Sequence, residues 1–211
     1  MEDFITIAII DYKAGNAASV MHAVTHLGHD AVFAHNEQDV RNASHIILPG
    51  VGSARATMES LYELKLIDAL EEAVLRKKVF FLGICVGLQI LFEHSDEGDV
   101  DCFGWLNGNV KRFDASKVRV PQMGWNEVRF IRDTPAAGFG ADIKSNYFYF
   151  VNSYYAAPKN KNDVWGSADY PDSFTAAVHR DNIYATQFHA EKSGEAGLAL
   201  LEGFFKLTGE A

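Results

Sequence analysis

The stretch Gly83-Ile84-Cys85-Val86-Gly87 restricts the possible folds of this chain more than any other, because it joins an apolar run, residues 79–82, to a segment with helical spacing. Consecutive apolar residues fit a strand buried on both faces. A strand that reverses at once into a helix needs small residues on both sides of the reversing position, and Gly83 and Gly87 supply them. Leu88, Leu91 and Phe92 then recur on one helical face. The predicted unit is strand, sharp turn, helix. Cys85 sits at the turn, where unpaired N–H groups and the helix dipole favour a thiolate. A cysteine kept only for core packing has no need of such a turn, so Cys85 reads as a nucleophile.

The first half of the chain repeats this alternation. A strand over 5–10 is followed by Ala17, Val20, Met21, Val24 and Leu27 at helical period, with Gly28 as the stop. Strands are predicted over 31–33 and 45–48, and helices over 54–61 and 66–76, before the strand 79–84. Such a pattern predicts an α/β fold, a three-layer sandwich whose mostly parallel central sheet is covered by helices on both faces. The second half reads as short β runs at 110–113, 127–131, 147–151, 164–168, 174–179 and 183–188, closed by a helix with Leu198, Leu201 and Phe205 on one face. Residues 132–145, with Pro135, Gly138 and Gly140, read as a surface loop. There is no internal repeat, low-complexity tract or long linker, so residues 1–211 are expected to form one domain. A 48% apolar composition over 211 residues suffices for its core.

A thiolate needs a proton-transfer partner, and Gln187-Phe188-His189-Ala190-Glu191 offers the best one. His189 ends the strand-like run from 183, and Glu191, two residues on, can point to the same side and fix the imidazole tautomer. The ends of strands in α/β folds are also where sites gather. Acyl transfer further needs N–H donors for the developing oxyanion. Leu48-Pro49-Gly50-Val51-Gly52 follows the apolar run 45–48 and can turn the N–H groups of Val51 and Gly52 toward that charge, together with the N–H of Val86.

These residues carry a resemblance that covers nearly the whole chain. With Ile10-Asp11-Tyr12, Ala14-Gly15-Asn16, Ser95 to Gly98, Pro121-Gln122-Met123-Gly124-Trp125-Asn126, Tyr149 to Tyr155, Phe174 to Val178 and Gln187 to Gly194, the sequence resembles the class I (triad) glutamine amidotransferases. The Met-Gly-Trp-Asn and Phe-Val-x-Ser-Tyr-Tyr segments are similar to those of the glutaminase subunits of imidazole glycerol phosphate synthases. The resemblance implies a flavodoxin-like sandwich and a Cys85-His189-Glu191 triad that hydrolyses glutamine to glutamate and ammonia. It implies that Gln89 and Glu97 hold the substrate's α-amino end, while Ser153, Tyr154 and Gly52 hold its carboxylate side. It also implies a cyclase partner of (β/α)₈ barrel type in histidine biosynthesis, paired with this chain as a heterodimer. Asn16, Trp125 and Asn126 would lie toward that partner. No metal or cofactor is expected. Two other readings stay open: an amidotransferase feeding a synthase that modifies a surface sugar, and a catalytically silent regulatory subunit, against which the intact triad speaks.

Four positions depart from the family pattern. Ala190 stands where most members have Pro, which loses a fixed φ and predicts a looser loop around Glu191. Val86 replaces Leu, Asn152 stands where His is common, and Lys13 where Gly is common. A net charge of −9 without a large basic cluster argues against nucleic acid. The short run Arg76-Lys77-Lys78 reads as a helix end. No membrane-spanning run or signal segment is seen, and two cysteines make no disulfide framework, so a cytoplasmic protein is expected, with Cys102 structural. The Pro49 to Gly52 loop is expected to form fully only with the liganded partner, which predicts a low rate without it.

Overall fold

A computed structural model describes residues 6–13, 16–131 and 146–207; the surface loop expected over 132–145 lies outside the described residues. The chain begins with β1 (Ile7–Ile10), α1 (Ala17–His26), β2 (Ala31–Ala34), α2 (Glu37–Arg41), β3 (His45–Gly50), α3 (Ala54–Glu63) and α4 (Ile67–Glu71). The last of these continues as a π turn over Glu72–Arg76 before β4 (Phe80–Cys85) and α5 (Val86–Gln89). Short strands follow: β5 (His94–Ser95), β6 (Val100–Asp101), β7 (Gly108–Arg112), β8 (Gln122–Glu127), β9 (Arg129–Phe130), β10 (Tyr147–Asn152) and β11 (Tyr154–Pro158). The chain then runs through β12 (Val164–Asp169), β13 (Ser173–Arg180), β14 (Ile183–Thr186) and α6 (Gly194–Phe205).

The main sheet has the order β2-β1-β3-β4-β14-β13-β11-β7-β5-β6. From β2 to β14 every pairing is parallel, and from β14 through β13 and β11 to β7 it is antiparallel. Every residue of β1 and β3 is buried, and so are Phe81 to Cys85 of β4. Burial of consecutive residues means that both faces are covered, so the expected α/β architecture with a parallel centre is what forms. Strands β8 and β10 pair as a separate antiparallel ribbon whose outer residues alternate with buried ones.

Several predicted elements form as read. Helix α1 buries Ala17, Val20, Ala23 and Val24, and Gly28 ends it at φ +84. Helix α3 is capped by Ser53, whose hydroxyl accepts from the Ala56 N–H at 3.2 Å. Helix α6 buries Leu201 and Phe205, with Leu198 at the border of the core. The basic run closes the π turn, with Arg76 as its last residue and Lys77 as its cap.

The helix after the elbow is different: α5 is a single turn. The carbonyls of Ile90, Leu91 and Phe92 accept from the N–H groups of Phe103, Leu106 and Gly104, at 2.9 Å each, so a returning loop takes the bonds that a longer helix would use. Leu88, Leu91 and Phe92 are all fully buried and give the helical spacing regardless. Among the described residues no helix is long and apolar enough to cross a membrane.

Candidate active site

Parallel strands end at one edge of their sheet, and three ends meet here. Gly50 of β3 pairs with Cys85 of β4, and Thr186 of β14 with Ile84. The segments that leave these ends, Val51-Gly52, Cys85-Val86 and Gln187 to His189, converge in a cleft of about 290 Å³. Its lining contains Val51, Gly52, Cys85, Val86, Gln89, Glu97, Ser153, Tyr154 and His189. All the residues expected to hold substrate or oxyanion thus share one cavity with the two reactive groups.

Cys85 adopts φ +56, ψ −106, a strained backbone for a residue with a side chain, at the junction of β4 and α5. Close backbone packing holds it there. A Cβ on Gly87 would stand 2.0 Å from the Leu48 carbonyl oxygen, one on Gly83 2.5 Å from the Gly87 carbonyl oxygen, and one on Gly50 2.6 Å from the Gly87 nitrogen. The glycines are needed because β3, β4 and α5 touch backbone to backbone, and the turn itself is only part of the reason. A one-turn helix carries little dipole. The thiol instead finds Gln187, whose Nε2 donates to Sγ at 3.7 Å, the Val151 carbonyl at 3.9 Å, and the His189 ring.

His189 lies three residues beyond the end of β14, so the strand-like run stops earlier than its apolar pattern suggests. It caps a 3₁₀ turn, Ala190–Lys192, and the turn, rather than strand alternation, brings Glu191 round. His189 Nδ1 lies 2.8 Å from Glu191 Oε1, with side chains 3% and 0% exposed. Burial disfavours the imidazolium, but the hydrogen bonds and negative charge of Cys85 and Glu191 outweigh it and push the ring up to about 10. Burial also raises Glu191, while His189 and the Asn16 amide hold it below the usual carboxylate range.

Asn16 was expected toward a partner. In this chain it is 5% exposed, and its Nδ2 donates to Glu191 Oε1 at 2.8 Å. Of the other two positions expected on that face, Asn126 donates to the Asp169 carbonyl at 2.9 Å, within the chain. Trp125 is 56% exposed on the β8–β10 ribbon, edge-on to Tyr149 and near the exposed Met123. The ribbon also reaches the cleft through Val151 and Asn152.

Gln89 and Asn152 both donate their amide N–H to the Tyr154 carbonyl, at 3.2 and 2.9 Å. That shared acceptor fixes the orientation of both amides. Gln89 Oε1 and Asn152 Oδ1 are buried without a protein partner among the described residues, on two residues that line the cleft. The Glu97 carboxyl is raised by burial, offset in part by the Ala54 N–H at 3.1 Å. Gly52 sits at φ +90 beside Val51, and Val86 opens α5, where backbone N–H groups lack helical partners.

Three functional neighbours carry weaker signals. Gln187, a polar residue ending an apolar run, touches Cys85 and accepts from Gln89 at 3.2 Å. The Tyr12 phenol lies 3.4 Å from the Thr57 hydroxyl and is pushed up to about 12 by burial. Lys13, where glycine is common in the family, holds φ +67, a conformation that glycine would take without strain.

Three kinds of comparison agree with this geometry. The family model "Glutamine amidotransferase class-I" matches residues 8–207. Imidazole glycerol phosphate synthase subunit HisH of Leptospira interrogans is 42% identical over 206 residues, covering 95% of this chain and 100% of that one. Subunit HisH 1 of the same synthase from Campylobacter jejuni is 43% identical over 203 residues, with 95% and 100% covered. A solved glutamine amidotransferase structure superposes with a TM-score of 0.73 at 16% identity, covering 94% of this chain and 98% of that one, which speaks for the fold alone.

Proposed function

The chain belongs to the class I glutamine amidotransferase family, within the imidazole glycerol phosphate synthase HisH group, and on that premise we propose that its cleft hydrolyses glutamine through Cys85, His189 and Glu191. The observation that carries this reading is the cleft itself, where a strained cysteine faces a buried histidine held at 2.8 Å by a carboxylate. Because His189 is pushed up to about 10, its ring can hold the proton that Cys85 gives up when it attacks.

In the first step His189 takes the thiol proton as Sγ bonds to the side-chain amide carbon of glutamine, and the negative charge that builds on the amide oxygen is met by the N–H groups of Gly52 and Val86, and by that of Val51 once it turns from the Tyr12 phenol. His189 then gives its proton to the amide nitrogen, the C–N bond breaks, and ammonia leaves with a glutamyl thioester on Cys85. Water attacks that thioester as His189 takes its proton, the C–S bond breaks, and His189 returns the proton to Sγ, which gives glutamate and the free thiol. Glu191, held by Asn16, keeps Nδ1 protonated and the ring oriented throughout. Gln89 Oε1, Asn152 Oδ1 and the Glu97 carboxylate suit the α-ammonium of glutamine, and the Ser153-Tyr154 backbone with Gly52 suits its carboxylate side. A ligand without the α-amino group leaves these acceptors unpaired, which favours glutamine over simple amides.

The ammonia passes to a synthase subunit of (β/α)₈ barrel type, docked on the ribbon face that presents Trp125. One amidotransferase domain and one synthase subunit make the working unit. The test is glutamate release from glutamine by the purified protein, alone and with an imidazole glycerol phosphate synthase cyclase subunit and its nucleotide. Stimulation by the liganded partner that depends on Cys85 is expected. Equal rates with and without the partner would sink the coupling, and Cys85-independent release would sink the mechanism.

A further inference from the structure

The turn that presents His189 is held by a hydroxyl to which nothing above gives a role. We propose that Ser193 is a positioning residue for His189, an inference that rests on the glutaminase reading of the cleft. Ser193 is 2% exposed. Its Oγ donates to the His189 carbonyl at 2.6 Å and accepts from the Tyr149 N–H at 3.0 Å. The Tyr149 carbonyl in turn accepts from the His189 N–H at 2.9 Å. One hydroxyl thus closes a ring of hydrogen bonds that ties the histidine's own peptide groups to β10.

This is an unusual use of a serine at such a place. Ser193 stands at the N-cap of α6, where a serine side chain ordinarily accepts from a free helix N–H, yet it makes no capping bond there. The hydroxyl has been diverted from the helix to the turn. The turn has backbone bonds of its own, from the Lys192 N–H to the His189 carbonyl at 3.1 Å and from the Ser193 N–H to the Ala190 carbonyl at 3.0 Å, and Ser193 Oγ adds a side-chain link from it to β10. Ala190 leaves its own φ free, whereas a proline would not. The turn also sits directly on α6: a Cβ on Gly197 would stand 1.8 Å from the Ala190 carbonyl oxygen. Packing sets the turn's height above the helix, and Ser193 sets its lateral position against β10. The hydroxyl supplies a restraint on the loop around Glu191 that Ala190 lacks.

The geometry also offers an independent way to restrain the same turn. His189 lies at φ −86, ψ 98, the extended region that a residue before proline adopts, and Ala190 is the first residue of the 3₁₀ turn, where proline is tolerated. Ala190→Pro should therefore restore in Ser193→Ala what the hydroxyl provided.

The experiment compares wild type, Ser193→Ala, Ser193→Ala/Ala190→Pro and Ser193→Cys in complex with the synthase subunit, reading kcat and KM for glutamine and thermal stability. A second readout, the rate of Cys85 alkylation by iodoacetamide, needs no glutamine. Ser193→Ala is expected to lower kcat about tenfold with KM within about twofold, because a displaced imidazole harms the reaction more than binding. Alkylation should slow in parallel, and the added proline should recover more than half of both losses. If Ser193→Ala does not fold, Ser193→Cys, which fills the same space with a weaker donor, should show an intermediate kcat at wild-type stability.

Wild-type kcat in a folded Ser193→Ala or Ser193→Cys would overturn the proposal. So would a loss that follows only a lowered stability and is not recovered by proline. A wild-type protein that alkylates normally but leaves glutamine intact would remove the glutaminase reading instead, and the alkylation rates would still decide the role of Ser193.

Discussion

Strands β1, β3, β4 and β14 run parallel and are buried on both faces, and the last three end side by side at the cleft, whereas β8 and β10 form an antiparallel ribbon with one face in water. The parallel half leaves its residues no freedom. Gly50, Gly83 and Gly87 bring three backbones into contact, and Cys85 keeps its strained φ because everything around it is fixed. The ribbon contributes differently, with a carbonyl to the thiol, an amide to the wall of the cleft and an aromatic surface to solvent. The chemistry rests on the part that cannot move, and recognition on the part that can be varied residue by residue.

Removing the reactive group from the rigid half should have the largest effect. Cys85→Ala is expected to cut glutamate release by about 10⁴-fold or more, since the remaining groups cannot form the thioester. The protein should stay folded, because alanine suits a buried position. Residual activity within about tenfold of wild type, assayed with the partner subunit present, would show that the elbow does not carry the reaction.

The second test contrasts glycines in the two regions. Gly87→Ala places a Cβ on the Leu48 carbonyl and should cost about 3 kcal/mol or more of stability, the range of severe overpacking. Gly124→Ala on the ribbon meets nothing within 4 Å and bears only the strain of φ +130. Urea unfolding of both variants should separate them clearly. Equal costs would mean that the elbow can relax and is not held by its neighbours.

What the sequence discloses follows the same division. The elbow is legible because buried parallel strands appear as unbroken apolar runs, and a run that ends in Gly-x-Cys-x-Gly has few other readings. That Gly50 and Gly87 touch is hidden, since it depends on which strands become neighbours. His189 and Glu191 are legible as a pair, but the apolar Phe188 prolongs the strand pattern past Thr186 and conceals the 3₁₀ turn. Helix α2 escapes notice because five residues with one buried position, Val40, show no period. Strand β11 escapes because Ser153 and Pro158 look like turn residues. Asn16 is picked out by its motif, yet its bond to Glu191 joins residues 175 positions apart, which no local pattern encodes.

A third test concerns the other end of the parallel half. His45 opens β3, stacks on Phe80 at 5.2 Å, lies edge-on to Phe204 and is within hydrogen-bond reach of the Leu207 carbonyl at 3.1 Å. Burial lowers its pKa to about 4, partly opposed by the Leu207 and Phe204 carbonyls, with a further lowering from the nearby His29. The unfolded chain takes up that proton more readily, so the contribution is full above about 6.5 and is lost as pH falls toward about 4. The difference corresponds to about 3 kcal/mol. Urea midpoints should fall across that window, and His45→Phe should flatten this part of the fall. An unchanged slope in His45→Phe would assign the acid sensitivity elsewhere.

The smallest effect, and the one that bears most on the ribbon, belongs to Trp125. An indole that is 56% exposed and, among the described residues, stacked edge-on against Tyr149 adds little to the fold, so Trp125→Ala should leave stability within about 0.5 kcal/mol of wild type. It should also leave Cys85 alkylation in the isolated protein unchanged. Association with the synthase subunit is where the loss should appear, about 2 kcal/mol or roughly thirtyfold in Kd, as for a buried aromatic anchor. Asn126 lies next to it but spends its amide on Asp169, so Asn126→Ala should weaken association less than Trp125→Ala does. Equal affinity of wild type and Trp125→Ala, measured by titration calorimetry, would move the docking face off the ribbon. A loss of activity in the isolated Trp125→Ala protein would tie the exposed ring to the cleft and erase the division of labour between the two regions.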